Sequence, residues 1–112
     1  MRDLGALKTR YERDALAVRI GGLASNLSRI GWFGNRAADR QEVASLFRES
    51  KYFTEWTAPH CSLAQQAILA ELQLQLAIWD RSWGSQLSPS AIAAEAQQWS
   101  GRLLEVAGLL TR

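Results

Sequence analysis

The chain has 112 residues, of which 47% are hydrophobic and 21% are charged; this composition predicts a single folded domain over residues 1–112 and argues against an intrinsically disordered chain. The net charge of +2 is too small to indicate a nucleic-acid partner by itself. The start MRDLGALKTRYERD lacks the apolar segment of a secretory signal. No apolar run reaches the roughly 18 residues of a membrane span. The single Cys61 excludes an internal disulfide. We therefore expect a reduced, cytoplasmic protein with no membrane span.

Residues 2–30 show helical periodicity and are predicted to form a long first helix. Its apolar residues make two stripes on different faces, one of Leu4, Leu7, Tyr11, Ala15 and Val18, the other of Leu16, Ile20, Leu23, Leu27 and Ile30. The stripe changes face near Gly21 and Gly22, where either a kink or a straight helix between two neighbours would account for the pattern. The stretch from Gly31 to Asn35 interrupts the periodicity and is predicted to be a loop.

Three further helices are predicted over residues 39–57, 62–83 and 89–110. The helix at 62–83 has a capping-box start, because Ser62 is followed three residues later by Gln65. The last helix repeats its apolar residues at spacings of three and four, which is typical of the seam of a helical bundle.

The helix at 62–83 is apolar on two opposite faces. One face holds Leu69, Leu72, Leu76, Trp79 and Trp83, and the other holds Leu63, Ala67, Ala70, Leu74 and Ile78. A helix that is apolar all round is a buried one, so we expect it to be the central element of the fold. Because short connections make neighbouring helices antiparallel, the expected fold class is all-α, an up-and-down four-helix bundle with a long first helix.

Side chains that could carry out chemistry are sparse. His60 and Cys61 are adjacent, but they are the only histidine and the only cysteine, so they cannot complete a tetrahedral zinc site. Neighbours in a loop also rarely face each other as a nucleophile and its base must. Glu71 is the one acid in apolar surroundings and is expected at the rim or paired with an arginine. We predict no catalytic residue, no metal site and no cofactor, and hence a non-enzymatic protein.

Two apolar patches are candidates for binding a protein partner. Tyr52 and Trp56 lie four residues apart, away from the seam of their own helix, and paired exposed aromatic side chains are favoured in interfaces. The competing explanation is that the following loop covers them.

The second patch is at the start of the chain, because the long first helix would extend about 10 Å beyond the last two helices. It would then expose Leu4, Leu7 and Tyr11, which a second copy would cover in a two-fold homodimer, unless that end frays.

A small basic and aromatic group supports a second interpretation. Arg29, Trp32, Arg36 and Arg40 would combine ring stacking with contacts to phosphate groups. The other arginines of the first helix are scattered around it instead of extending a basic stripe, which argues against nucleic acid. The predicted function is therefore a protein–protein interaction or assembly module, with binding of nucleic acid or another polyanion as the alternative.

Residues 49–58 read ESKYFTEWTA, and they are followed by the spacing of Leu76, Trp79 and Trp83 and by an ending that runs from 99 to 110. These segments resemble a small uncharacterised cyanobacterial protein family, most specifically in the first run. The resemblance implies a cytoplasmic, cyanobacterial setting. It brings no activity, cofactor or catalytic residue with it.

Overall fold

The computed structural model describes residues 3–34, 36, 40–83 and 88–110. This part of the chain contains five α-helices and one 3-10 turn: α1 is Leu4–Glu12, α2 is Leu16–Phe33, α3 is Arg40–Thr57, the turn is Ala58–His60, α4 is Leu63–Ser82 and α5 is Pro89–Leu110. None of the described residues forms a strand, so the all-α class is confirmed. A four-helix bundle is not confirmed, because five helices are present.

The prediction of one long first helix is wrong, because the helical conformation is interrupted between α1 and α2. Ala15 has φ −59° and ψ 153°, outside the helical region. The interruption lets α1 pack against α3, while α2 packs along α5 as well as along α3. The change of face is made at residues 13–15, and α2 continues unbroken through Gly21 and Gly22.

α2 also continues through most of the predicted loop and ends only at Phe33. Gly31 lies where α2 and α5 approach closely, since a Cβ added there would overlap the side chain of Gln97. At the same place Gln97 Nε2 donates a hydrogen bond of 3.0 Å to the carbonyl oxygen of Ser28. Gly31 is therefore a packing residue within a helix; Asn35 lies outside the described residues.

The central helix is α2 instead of α4. It packs along both α5 and α3, and its inward side chains are fully buried: Ile20, Leu23, Leu27 and Ile30. α4 packs mainly on α3, with Leu69, Leu72, Leu76 and Trp79 buried. The prediction that α4 is enclosed on both sides is wrong. Its second face carries Ala67 and Ala70, whose small side chains would gain little free energy from being buried.

Several local features of α4 agree with the sequence. Ser62 and Gln65 form the reciprocal capping box that was predicted for its start. Trp79 is fully buried, and its Nε1 donates a hydrogen bond of 3.2 Å to Glu95 Oε2 of α5. Trp83 is half-buried and packs against the core. These contacts place one face of α4 against the core, and the opposite face is therefore exposed to solvent.

The predicted bounds of α5 are confirmed, and those of α3 hold to within one residue. In the segments that the structure describes, no helix combines the length and the apolar character needed to cross a membrane.

Candidate functional site

The most prominent surface feature is an exposed apolar stripe on α4. Leu63, Leu74 and Ile78 keep 84%, 65% and 43% of their surface exposed. Ala67 and Ala70 are also exposed and lie between them, at the three- and four-residue spacing that places side chains on one face of a helix. These five residues are called the α4 outer face below.

Charged groups lie along the rim of the α4 outer face. Glu71 Oε2 is 3.1 Å from Arg102 Nη1 of α5, which confirms the expected pairing with an arginine. The guanidinium carbon of Arg102 also lies 4.7 Å from the centre of the Trp99 ring. Arg81 is exposed near the C-terminal end of the helix. An apolar centre with a polar rim is the usual composition of a protein interface.

An apolar groove adjoins the α4 outer face on the side of α3. It has a volume of about 390 Å³, and its lining includes Ala58 and Pro59 of the 3-10 turn together with Leu69 and Ala70 of α4. Ala70 belongs both to the groove and to the α4 outer face. The two features therefore form one surface, in which a ridge lies beside a depression.

Other large apolar side chains are exposed, but they are spread over four helices. They are Leu4 on α1, Val18 and Trp32 on α2, Tyr52 on α3, and Leu104 on α5. Scattered exposed side chains of this kind are normal on a folded protein. A row of them on one helix is not, and this distinguishes the α4 outer face.

The predicted partner-binding pair Tyr52 and Trp56 belongs to an aromatic cluster. The two rings are stacked with their centroids 5.5 Å apart. Trp56 is half-buried, and its ring centroid lies 6.1 Å from those of Tyr11 and Phe53. Much of Trp56 is thus engaged in holding α1 on α3, while Tyr52 remains exposed. A role of the pair in partner binding stays a prediction.

The predicted homodimer surface at Leu4, Leu7 and Tyr11 requires a correction. Leu7 and Tyr11 are buried in the core of the chain itself, and only Leu4 is exposed. The Tyr11 ring stacks on Phe53 at 4.0 Å. The reason is the break after α1: the overhanging helix end does not exist, and α1 packs on α3. A homodimer through another surface stays a prediction.

The basic and aromatic group lies near the end of α2 and the start of α3. Arg29, Trp32, Arg36 and Arg40 are all exposed, and Trp32 keeps 60% of its surface exposed. The guanidinium carbon of Arg36 lies 4.8 Å from the centre of the Trp32 ring. The structure therefore brings Trp32 and Arg36 together, with the guanidinium group occupying one face of the ring.

His60 and Cys61 show the contacts of a structural loop. His60 is exposed, and Cys61 Sγ donates a hydrogen bond of 3.5 Å to the carbonyl oxygen of Thr57. Burial raises the pKa of the Cys61 thiol, against the opposing effect of the positive charge of Arg19. The thiolate, which is the reactive form, is thereby disfavoured. Over residues 3–34, 36, 40–83 and 88–110, no three His, Cys, Asp or Glu side chains are grouped so that they could hold a metal ion.

Comparison with known proteins gives no match: neither a protein-family model, nor a curated protein, nor a solved structure matches the chain. The resemblance to a small cyanobacterial family therefore stays a prediction.

Proposed function

We propose that the protein is a non-enzymatic interaction module that binds a protein partner through the α4 outer face. The observation that carries this proposal is the exposure of Leu63, Leu74 and Ile78 in one row. Burying apolar surface stabilises a complex by about 25 cal/mol per Å², and contiguous exposed apolar patches mark interaction sites.

The partner that fits this surface best is an amphipathic helix. The stripe from Leu63 to Ile78 is about 23 Å long, at about 1.5 Å per residue. The small side chains of Ala67 and Ala70 would let a second helix approach closely, with its own apolar side chains packing between the leucines. The α4 outer face of a second copy has this character too, so a homodimer is one form of the proposed complex.

We further propose that α2 to α5 form an up-and-down bundle to which α1 is added. The expected setting is the cytoplasm of a cyanobacterial cell. In support of the bundle, α5 runs antiparallel to α2: Gln97 bonds to the carbonyl of Ser28, and further along α5 Ser100 Oγ bonds to that of Ala24 at 2.8 Å.

Leu74→Glu tests the proposed interface, because it places a carboxylate in the middle of the apolar stripe. We expect capture of the partner from extracts of the native host to fall at least tenfold, since a buried unpaired charge is costly. Leu104→Glu is the matched control; Leu104 is a leucine on α5 that is 56% exposed. Capture is measured at moderate salt, with the bound proteins and nucleic acids both identified.

Both variants should keep the helical circular-dichroism signal of the wild type, because both leucines face solvent. Equal capture by the two variants would contradict the proposed interface. Loss of helical signal in Leu74→Glu alone would mean that Leu74 belongs to the core.

Binding of nucleic acid or another polyanion through Arg29, Trp32, Arg36 and Arg40 is the second candidate function. The observation that favours it is the exposed Trp32 ring beside the Arg36 guanidinium group, an arrangement that suits a base or sugar next to a phosphate. The position of Arg36 argues against this function, because its guanidinium group already covers one face of the Trp32 ring.

Salt separates the two candidate functions. Binding of a polyanion should weaken steeply between about 50 and 200 mM salt, because counterions are released on binding. Binding through the apolar α4 outer face should change little over the same range. A complex that contains nucleic acid and dissociates in this range would favour the second candidate.

A further inference from the structure

The α4 outer face is complementary to a reversed copy of itself. Leu63 and Ile78 form its two ends, and Ala67 and Leu74 lie at equal distances from its middle, which falls between positions 70 and 71. A two-fold axis through that middle would place Leu63 opposite Ile78 of a second copy, and Ala67 opposite Leu74. Packed helices cross at an angle and are closest where they cross, so the small Ala67 and Ala70 lie where space is least and the larger ends lie where it is greater.

A parallel pair of α4 helices lacks this match. It would set every residue opposite itself, so that Leu74 would meet Leu74 and Ala67 would meet Ala67. The leucines would hold the helices apart, and a void would remain at the alanines. Ala64 and Ala77 are also exposed, one on each side of the middle and equally far from it. The order of large and small side chains therefore favours the antiparallel pair.

An ion pair lies beside the middle of the α4 outer face. Glu71 Oε2 is 3.1 Å from Arg102 Nη1, and the two side chains keep 63% and 44% of their surface exposed. The two-fold axis of an antiparallel pair lies in the interface, perpendicular to α4, and so brings the ion pair of the second copy to the same side of the complex. A guanidinium group has five N–H donors, so each Arg102 can bond to both Glu71 carboxylates. Positive and negative charges then alternate around the axis, which makes the two copies complementary in charge.

The size of the α4 outer face limits how strong such a contact can be. A helix face of about 23 Å in length buries on the order of 1,000 Å² in total from two copies, near the lower limit for a specific interface. Its centre is apolar and its rim is charged, as in other interfaces. We therefore expect a weak and reversible dimer with a Kd of about 10–100 µM.

We propose that the partner of the α4 outer face is a second copy of this chain, bound antiparallel about a two-fold axis between positions 70 and 71. The inference rests on the function proposed above, because it names the partner of the same surface. In the dimer Leu74 packs over Ala67 and Ala70 of the second copy. The Glu71 and Arg102 pairs of both copies meet beside the axis.

Sedimentation equilibrium of the full chain tests the dimer, over concentrations from tenfold below to tenfold above the expected Kd. The wild type should change from monomer to dimer across this range. Leu74→Glu should weaken the dimer by about tenfold or more, because it buries a carboxylate against the alanines of each copy. Leu104→Glu, on α5, should leave the Kd unchanged, since Leu104 lies outside the α4 outer face. A wild type that stays monomeric throughout, or a dimer that persists in Leu74→Glu, overturns the inference.

Cross-linking of single-cysteine variants tests the orientation of the two copies. Cys61→Ser removes the natural thiol and keeps a hydrogen-bond donor for the carbonyl of Thr57. In that background, Leu63→Cys and Ile78→Cys are treated with a short bismaleimide. The antiparallel dimer should give a covalent dimer from an equal mixture of the two variants and little from either variant alone. Covalent dimers from each variant alone, or none from the mixture, would overturn this orientation.

Charge reversal tests the contacts beside the axis. Arg102→Glu would bring four carboxylates together and should weaken the dimer by about threefold or more. Glu71→Arg should do the same by bringing four guanidinium groups together. The double variant restores the alternating charges, and its Kd should return to within about twofold of that of the wild type. Equal Kd values for the wild type and all three variants would overturn the placement of the ion pairs at the axis.

Capture from host extracts separates this inference from the function on which it rests. If the wild type sediments as a dimer and the protein lost on Leu74→Glu is the chain itself, both are supported. If the wild type is monomeric and Leu74→Glu still abolishes capture of another protein, the inference fails and the proposed function stands. If neither sedimentation nor capture responds to Leu74→Glu, both fail.

Discussion

Tyr11 joins three segments of the chain at one point. Its ring stacks on Phe53 of α3, and its hydroxyl group bonds to the carbonyl of Arg19 on α2 and to Thr57. Because the ring is buried, water cannot solvate a phenolate there, and this raises the pKa of Tyr11 to about 12. The hydroxyl group is therefore neutral in the folded protein over the whole physiological range.

The raised pKa of Tyr11 predicts a loss of stability in alkali. In the unfolded chain a tyrosine has a pKa of about 10, so the unfolded state releases this proton first as the pH rises. The contribution of Tyr11 is fully present below about pH 10, and it should fall by roughly 2–3 kcal/mol as the pH rises towards about 12.

Urea unfolding at several pH values between 9 and 11, for wild type and for Tyr11→Phe, checks this expectation about Tyr11. The variant removes the titrating group, so the difference between the two proteins should shrink as the pH rises above about 10. A constant difference across the series would contradict a buried, neutral Tyr11.

Trp79 is the largest fully buried side chain of α4, and we expect Trp79→Ala to destabilise the protein by roughly 3–5 kcal/mol. Most of the cost comes from the cavity, because Glu95, the hydrogen-bond partner of Trp79, is itself exposed to water. Trp32→Ala is the matched control at an exposed tryptophan and should cost far less. Thermal or urea unfolding compares the two; equal costs would mean that α4 does not pack as described.

At the scale of elements, the helix ends that depend on local signals could be predicted. Ser62 and Gln65 cap each other within four residues of chain, and the start of α5 follows from Pro89 in its first turn. The break at residues 13–15 has no such signal, because neither glycine nor proline occurs there. What accompanies it is the stacking of Tyr11 on Phe53 of α3, and contacts between distant residues leave no local signature.

Gly31 is the opposite case, in which a local signal is present and misleading. Glycine is a strong local signal for a loop, but here it allows two helices to pack closely. Gly31→Ala should lose most of the roughly 1 kcal/mol that alanine otherwise gains over glycine within a helix, because the new methyl group displaces the side chain of Gln97 and its hydrogen bond to Ser28.

Gly101→Ala is the matched control for Gly31→Ala. A Cβ at Gly101, within α5, meets nothing within 4 Å, so this change should stabilise the protein by up to about 1 kcal/mol through helix propensity. Urea unfolding compares the free energies of unfolding of the two variants, and Gly31→Ala should be the less stable one. A Gly31→Ala variant as stable as Gly101→Ala would contradict the described packing of Gln97 over Gly31.

At the scale of the whole molecule, the sequence did not reveal which helix is central. α2 and α4 both carry apolar residues on two faces. The periodicity of apolar positions does not distinguish alanine from leucine. Burial depends on area instead, and the second face of α4 is partly alanine, with Glu71 and Arg81 at its rim. That combination was the signal in the sequence that this face of α4 stays exposed.

The way α4 is attached suits a surface that binds without refolding. Its inner face packs on the core through Trp79 and its leucines. Polar contacts hold it on both sides, between Lys51 and Asp80 at 3.0 Å towards α3 and between Glu71 and Arg102 at 3.1 Å towards α5. The α4 outer face is thus presented on a helix that is already folded and packed in the free chain, and a preformed surface loses little conformational freedom on binding.

The most direct measurement is photo-cross-linking in cells of the native host, with a photoreactive amino acid placed at position 74, on the α4 outer face, or at position 104, on α5. We expect a discrete cross-linked protein from position 74, which persists at higher salt, and none from position 104. The same products from both positions, or products from position 104 alone, would contradict the claim that the α4 outer face is the binding surface.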